Sequence, residues 1–270
     1  MNTRPPLTAE DAWTTLLALR QGGSASSVLA VDGREWRALT PLTEAAKQLF
    51  DLFLPILLTP TDDGPVVVAH LAQTLDGRIA TETGTSQWIT GPEDLTHCHR
   101  LRALCDAVLV GAETALLDDP RLTVRKVTGP DPMRVIVDPA RRVPSNRQVF
   151  IDGRSPTVVL SAGDGPGNVG DARVIQVCDD AGRLSSEAIL EALGELGVRR
   201  LYIEGGGVTV SRFLAAGCLH RLHIAVAPML LGSGRPSVVL PPVDTLDGVV
   251  RPETAVYRLG ADILFDCAIA

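Results

Sequence analysis

Apolar runs and helical stripes alternate along most of this chain. From Val66 onward VVVAHLAQT, AVLVG, RVIVD, TVVLS, RVIQV, LYIEG and RLHIAVAPML read as strands, with a final strand or pair near the C-terminus. Several are continuously Val/Ile/Leu-rich, the pattern of strands covered on both faces. Between them, GPEDLTHCHRLRALC, SSEAILEALGELG and VTVSRFLAAG read as helices. This alternation predicts an α/β domain with a mostly parallel central sheet.

The chain before Val66 follows another pattern. AEDAWTTLLALRQGG sets Trp13, Leu16, Leu17 and Arg20 at helical spacing, with Gly22 and Gly23 as a stop. VLAVDGREWRAL holds two short apolar-alternating runs around Asp32-Gly33, a dipeptide suited to a type I′ hairpin turn. LTEAAKQLFDLFLPILL opens on a capping-box pattern, Thr43 with Gln48 slightly out of register, and its helix is expected to end near Pro55. The turn-rich TPTDDGP, Thr59 to Pro65, predicts a boundary between a helical and hairpin extension over residues 1–62, packing on the main domain, and a domain over 63–270.

Composition narrows the classes. With 270 residues and 45% apolar content the chain supports a well-formed core, and a formal net charge of −7 argues against a nucleic-acid surface. An anionic ligand has to be met by local arginines. The five cysteines, Cys98, Cys105, Cys178, Cys218 and Cys267, form no CxxC pair and read as small buried hydrophobes of a reducing compartment. No signal-peptide pattern opens the chain, and its most apolar run, Leu49 to Leu58, is interrupted and too short to span a bilayer; a cytoplasmic location without membrane partners is expected. His97 and His99 lie two apart on a helix and point to different sides, and His70, His220 and His223 read as structural, so no metal is expected.

Ligands of open α/β sheets sit beyond the carboxyl ends of the strands. Four such stretches carry candidate chemistry: QTLDGRIATETGTSQWITG, AETALLDDPRLTVR, PARRVP, and the glycines of LYIEGGGVTVSRFLAAG. Three glycines between a strand and a helix leave room for a phosphate at the helix N-terminus, although a tight strand-to-helix turn explains them equally well. The loop is no P-loop, since no Gly-Lys-Ser/Thr follows, and Val210 stands where a dinucleotide fingerprint has its third glycine.

Taken in order, LDGRIA, TSQWITG, LRALCDAVLVGAETALLDDPRLTVR, RVIVD, LYIEGGGVTVSRFLAAG and IAVAPMLLGSG resemble the reductase domain of the riboflavin-pathway enzymes that act on ribosylaminopyrimidine phosphates. The resemblance runs from about Val66 to the C-terminus. It implies a dihydrofolate-reductase-like three-layer α/β/α fold with a mixed, mostly parallel sheet, NADPH as cofactor, and a homodimer. It also implies the reaction, hydride delivery to the sugar C1′ that turns a ribosyl group into a ribityl chain.

The same resemblance assigns site residues. Arg102 and Arg125 are the candidate arginines for the substrate phosphate, whose oxygens a guanidinium fork matches bidentately. Ser86, Leu122 and Glu204 line the substrate, Glu204 meeting its hydroxyls. Gln73, Trp88, Thr114 and Asp118 are placed beside the cofactor, with core packing as the other explanation for Trp88 and a solvated turn for Asp118-Asp119-Pro120. Gly205, Gly206, Gly207, Val208 and Thr209 wrap its diphosphate. Asp76 shapes the loop, acts as an acid, or makes a plain turn with Gly77. Pro139 replaces a hydroxyl residue, and Arg141 or Arg142 meets a 2′-phosphate in its stead. Gln73 is larger than the residue expected beside the nicotinamide. No HxE or PCxxC occurs before residue 65, so zinc-deaminase chemistry is absent from that stretch. Two other readings stand beside this one: a pterin or folate reductase on the same fold, and a nucleotide-binding protein without catalysis.

Overall fold

The computed structural model describes residues 5–163, 167–178 and 184–269. They divide into two compact units, Met1–Val66 and Val67–Ala270.

The first unit holds helix α1 (Ala9–Arg20), strands β1 (Leu29–Asp32) and β2 (Glu35–Ala38), and helix α2 (Glu44–Leu58). Trp13 of α1 meets Phe53 of α2 edge-on, ring centroids 6.2 Å apart. Three details differ from the sequence-based expectation. The reciprocal capping box belongs to α1, through Thr8 and Asp11, whereas Thr43 accepts only from the Ala46 N–H. Only Gly33 of the two central hairpin residues has positive φ, at 60°, which is the pattern of a type II′ turn and not of type I′. Helix α2 also runs through Pro55 to Leu58, because Leu54, Ile56 and Leu57 are all buried there and that burial outweighs the lost hydrogen bond.

In the second unit come β3 (Val66–Thr74), β4 (Arg78–Ala80), α3 (Pro92–Leu104), β5 (Ala107–Gly111), α4 (Ala112–Asp118), β6 (Met133–Val137), α5 (Gln148–Ile151) and β7 (Thr157–Ser161). There follow β8 (Asn168–Val169), β9 (Ala172–Gln176), α6 (Ser186–Glu195), β10 (Arg200–Glu204), α7 (Gly207–Ala215), β11 (Arg221–Ala227), β12 (Arg235–Pro236), β13 (Glu253–Leu259) and β14 (Asp262–Ala268). Among the described residues ten strands form one sheet in the order β13-β14-β11-β3-β10-β5-β6-β7-β9-β8. The run β10-β5-β6-β7-β9 is parallel, as is β11 with β3, and the antiparallel pairs lie at the edges. This is the mixed, largely parallel α/β sheet expected. Every strand read from the apolar runs is present, and the C-terminal pair is β13 with β14.

The sheet centre is dry and continuous: Val67, Ala69, Leu71, Leu109, Val135, Leu160, Leu201 and Ile203 belong to one buried cluster with Val210 and Phe213 of α7. Helix α7 therefore lies with its apolar face on the sheet and its N-terminus at the end of β10. Three cysteines, Cys98, Cys105 and Cys267, are buried as expected, but Cys178 is exposed. Among the described residues no helix is long and apolar enough to cross a membrane.

Candidate active site

Strands β3, β10 and β5 are neighbours in the sheet, so the residues after their carboxyl ends come together: Thr74 to Gly77, Glu204 to Gly207, and Gly111 with α4. The opening of α7 explains its three glycines one by one. Gly205 and Gly206 have φ of 63° and 74°, a left-handed backbone in which a side chain is strained. Gly207 answers to something else. A Cβ there would lie 2.2 Å from the Ser237 carbonyl oxygen and 2.8 Å from that of Pro236. The chain's own backbone crosses at that point, so this glycine is required by a close approach of β12 and not by a ligand. Gly111 plays a similar part, since a Cβ on it would sit 2.8 Å from Thr209 Oγ1.

Around Gly206 the surroundings are polar. Its Cβ position is 3.3 Å from Thr114 Oγ1 and 3.6 Å from Thr209 Oγ1, and α7 carries no acidic residue in its first turn. The first-turn N–H groups of α7, its positive helix end and two hydroxyls around a left-handed glycine turn suit a diphosphate. The residues present thus fit the nicotinamide dinucleotide that the sequence resemblance implies. Val208 is 63% exposed at this helix end, and Gln73 is half-buried near the end of β3.

Asp76 has a task different from acid catalysis. Its carboxylate accepts from Thr74 Oγ1 at 2.5 Å, from Leu231 N at 3.1 Å and from Gly232 N at 2.6 Å. These bonds, the Thr74 hydroxyl first, hold its pKa down at about 2, and a carboxylate so committed is no proton donor near neutral pH. Arg78 Nε donates to the Gly232 carbonyl at 3.0 Å and Ser237 N to the Gly77 carbonyl at 3.1 Å. Asp76 and Arg78 therefore fasten the loop before β12, and β12 in turn lies against Gly207.

Arg102 and Glu204 are brought together. Arg102 Nε donates to Glu204 Oε2 at 2.6 Å, Nη2 donates to Oε1, and Nη1 donates to the Thr123 carbonyl at 2.9 Å. The guanidinium is 5% exposed and Glu204 raises its pKa against the opposing effect of burial. Both prongs of the fork expected to clasp a phosphate are thus spent on Glu204. Arg125 is different: exposed, it donates from Nη1 to Thr123 Oγ1 at 2.7 Å and to the Thr123 carbonyl at 3.3 Å. Two guanidiniums share one carbonyl oxygen. Burial first and then Arg102 and Arg121 push the Arg125 pKa down, so positive charge is crowded here.

Among the remaining predicted residues, Ser86 and Asp118 pair with each other, and Asp118 feels the charge of Glu204. Ser86 Oγ donates to Asp118 Oδ1 at 3.3 Å. The Asp118 carboxyl is raised by desolvation and by the charge of Glu204, with the Ser86 bond opposing. Leu122 is 1% exposed with φ of 55°, and Asp119 has φ of 41°. Non-glycine residues rarely hold such conformations, and they gather at functional sites. Trp88 is a third such residue, at φ 70°, and its side chain is 82% exposed, so core packing is not its role. Sequence reading missed Thr123, which receives both arginines, and His99, whose Nδ1 accepts from Arg125 N at 3.0 Å. The signal for His99 was its spacing, three before Arg102 on one helix.

His70, His97 and His223 form a buried polar seam. His70 Nε2 lies 2.8 Å from Asp94 Oδ1 and its Nδ1 3.5 Å from Cys98 Sγ, while His97 Nε2 meets His223 Nδ1 at 2.9 Å. The ligand atoms of His70, Asp94 and Cys98 lie within 4.8 Å of one another. His70 turns opposite ring nitrogens to the two partners, which suits a hydrogen-bonded chain.

Residues 65–265 match the family profile of the RibD C-terminal domain. The chain is 38% identical over 215 residues to the 2,5-diamino-6-ribosylamino-4(3H)-pyrimidinone 5′-phosphate reductase of Methanothermobacter thermautotrophicus, covering 76% of this chain and 98% of that one. It is 37% identical over 193 residues to the riboflavin biosynthesis protein RibD of Aquifex aeolicus, covering 71% of this chain but 53% of that protein. The fold matches the crystal structure of the diaminohydroxyphosphoribosylaminopyrimidine deaminase/5-amino-6-(5-phosphoribosylamino)uracil reductase of Thermotoga maritima with a TM-score of 0.68 at 25% identity, over 86% of this chain and 64% of that one. The described residues define an α/β domain with a mixed, largely parallel sheet, shared with these relatives. The chain belongs to the RibD C-terminal domain family, and the relatives it matches carry the names of a pyrimidinone phosphate reductase and of riboflavin biosynthesis proteins.

Proposed function

We propose that the protein is an NADPH-dependent reductase that converts the ribosyl group of a 5-amino-6-ribosylaminopyrimidine 5′-phosphate into a ribityl chain. The observation that carries the reading is the convergence of Arg102 and Arg125 on the Thr123 carbonyl beside Glu204, a cationic pocket edge next to a glycine turn. A noncatalytic binder of the cofactor alone would need no further arginine for a substrate phosphate.

Bound NADPH supplies the hydride for C1′. The chain's own residues bind and orient. Arg125, with a guanidinium still accessible, takes the substrate phosphate. Arg102 aligns Glu204, and Glu204 accepts from the ribose hydroxyls while its remaining lone pairs face the pocket. Ser86 donates to the substrate, and Leu122 packs at it. Gln73, Trp88, Thr114 and Asp118 would hold the cofactor, and the Gly205 to Thr209 backbone with the Thr114 and Thr209 hydroxyls would receive its diphosphate. This division departs from a two-arginine phosphate clamp, because Arg102 is already bidentate to Glu204.

Residues 63–270 carry the reductase in this reading and residues 1–62 are an extension to it. We also propose a homodimer, supported by the cross-strand pair Val256 and Phe265 of the edge hairpin, 57% and 36% exposed. The test is to mix the protein with NADPH and the ribosylaminopyrimidine phosphate, in its 2-amino and deaminated forms, and follow reduced-nicotinamide absorbance. Turnover of either form supports the reading; NADPH binding with turnover of neither contradicts it.

A further inference from the structure

The segment from Thr123 to Arg125 lies outside any strand, yet three consecutive backbone groups are held by side chains. The Thr123 carbonyl accepts from Arg102 Nη1 at 2.9 Å, the Val124 N–H donates to Asp131 Oδ1 at 2.5 Å, and the Arg125 N–H donates to His99 Nδ1 at 3.0 Å. Helix α3 thus grips the segment at two points of opposite polarity, a guanidinium on a carbonyl and an imidazole on an N–H. His99 is 1% exposed, so its ring is fixed by packing as well as by this bond.

We propose that His99 is a positioning residue for the substrate phosphate: as a neutral imidazole accepting at Nδ1, it fixes the Arg125 main chain so that the Arg125 guanidinium stays beside Arg102 over the Thr123 carbonyl. The proposal rests on the reading that Arg125 meets the phosphate, and it adds a residue with no direct contact to substrate.

The tautomer follows from the bond. An Nδ1 that accepts an N–H carries no proton, so the proton of the neutral ring is on Nε2. An imidazolium could not play this part, since both nitrogens would donate. The surroundings keep the ring neutral: burial first, then Arg102 and Arg125, depress its pKa to about 4. Without the acceptor, the Arg125 N–H would face the helix unpaired, and the segment would shift to find water. An arginine side chain has many rotamers, so loosening its main chain spreads the guanidinium over positions that no longer share the Thr123 oxygen.

Three variants separate this role from plain structural support. His99→Leu keeps bulk and removes the acceptor; His99→Asn places an amide oxygen where Nδ1 was; His99→Gln places one nearer Nε2. Steady-state kinetics should show KM for the pyrimidine phosphate raised about tenfold in His99→Leu, with kcat and KM for NADPH little changed, and KM restored in His99→Asn. Where His99→Leu does not fold, His99→Gln takes its place and must show the same rise. Parallel titration with ribose 5-phosphate should give the same order of affinities among the variants. Equal losses of kcat, cofactor affinity and substrate affinity, or no rescue by His99→Asn, overturn the proposal. If the wild type turns over no pyrimidine phosphate, the functional reading fails, and the ribose 5-phosphate titration alone decides for or against His99.

Discussion

Arg102 on α3 and Glu204 at the end of β10 form a bidentate pair in which the guanidinium is buried and the carboxylate is partly exposed. A buried charge left without its partner is costly, typically about 3–5 kcal/mol. Glu204→Ala, which leaves the buried Arg102 guanidinium without its partner, should therefore lower unfolding stability by about that amount in urea titrations and abolish turnover together with it. Glu204→Gln keeps an acceptor for Nε and should destabilise much less, while still losing turnover, because the neutral amide holds the ribose hydroxyls less strongly.

Arg125 predicts the opposite partition. Its guanidinium is exposed, and outside the core substitutions alter stability by about 0.5 kcal/mol or less. Arg125→Ala should raise KM for the phosphorylated substrate about 10- to 100-fold, the worth of one charged hydrogen bond, and leave the melting temperature and KM for NADPH nearly unchanged. Competition by ribose 5-phosphate against the wild type and the variant measures the same loss without turnover. A comparable loss for cofactor would mean that Arg125 serves the wrong ligand.

The glycine turn gives a contrast within three residues. Gly207→Ala drives a methyl against the Ser237 carbonyl, 2.2 Å away, and should cost about 1–3 kcal/mol of stability as β12 is displaced. A Cβ at Gly205 meets nothing within 4 Å, so Gly205→Ala should cost only the left-handed backbone strain, about 1–2 kcal/mol. Urea unfolding of the two variants checks the order.

Acid stability has a defined sign at His99. Its folded pKa of about 4 lies below the ordinary value of 6.5, so as pH falls through 6.5 the unfolded chain takes the proton first. The stability tied to the neutral ring is complete above 6.5 and is lost progressively down to about 4, up to about 3 kcal/mol. Arg102, Arg125 and Lys126 oppose protonation and Glu204 favours it. His97 and His223 are depressed by burial as well, whereas His70 is raised by Asp94, so the His99 share is read as the difference between wild type and His99→Asn across this window.

The parallel sheet was legible because its strands are buried on both faces and so leave unbroken apolar runs such as AVLVG and TVVLS. Pro55 misled because the local penalty of proline is visible in sequence, while the burial of Leu54, Ile56 and Leu57 that overrides it is not. The site was legible as separate stretches and illegible as pairings. Arg102 and Glu204 each stood out, but their mutual bond arises from α3 lying against the end of β10, a relation between distant segments. Gly207 shows the same limit: its reason is the Ser237 backbone, which no local pattern reveals. His99 was set aside with the other histidines because a helix position says nothing of which backbone N–H will come to meet it.

Isotope transfer tests the central claim most directly. NADPH carrying deuterium at the nicotinamide C4, on each face in turn, would be incubated with the enzyme and the ribosylaminopyrimidine phosphate, and the product analysed by mass spectrometry and NMR. The account predicts a ribityl product with deuterium at C1′ from one of the two labelled forms, in proportion to NADPH consumed. A product without label at C1′ from either form, or bound NADPH that is never consumed, would contradict it.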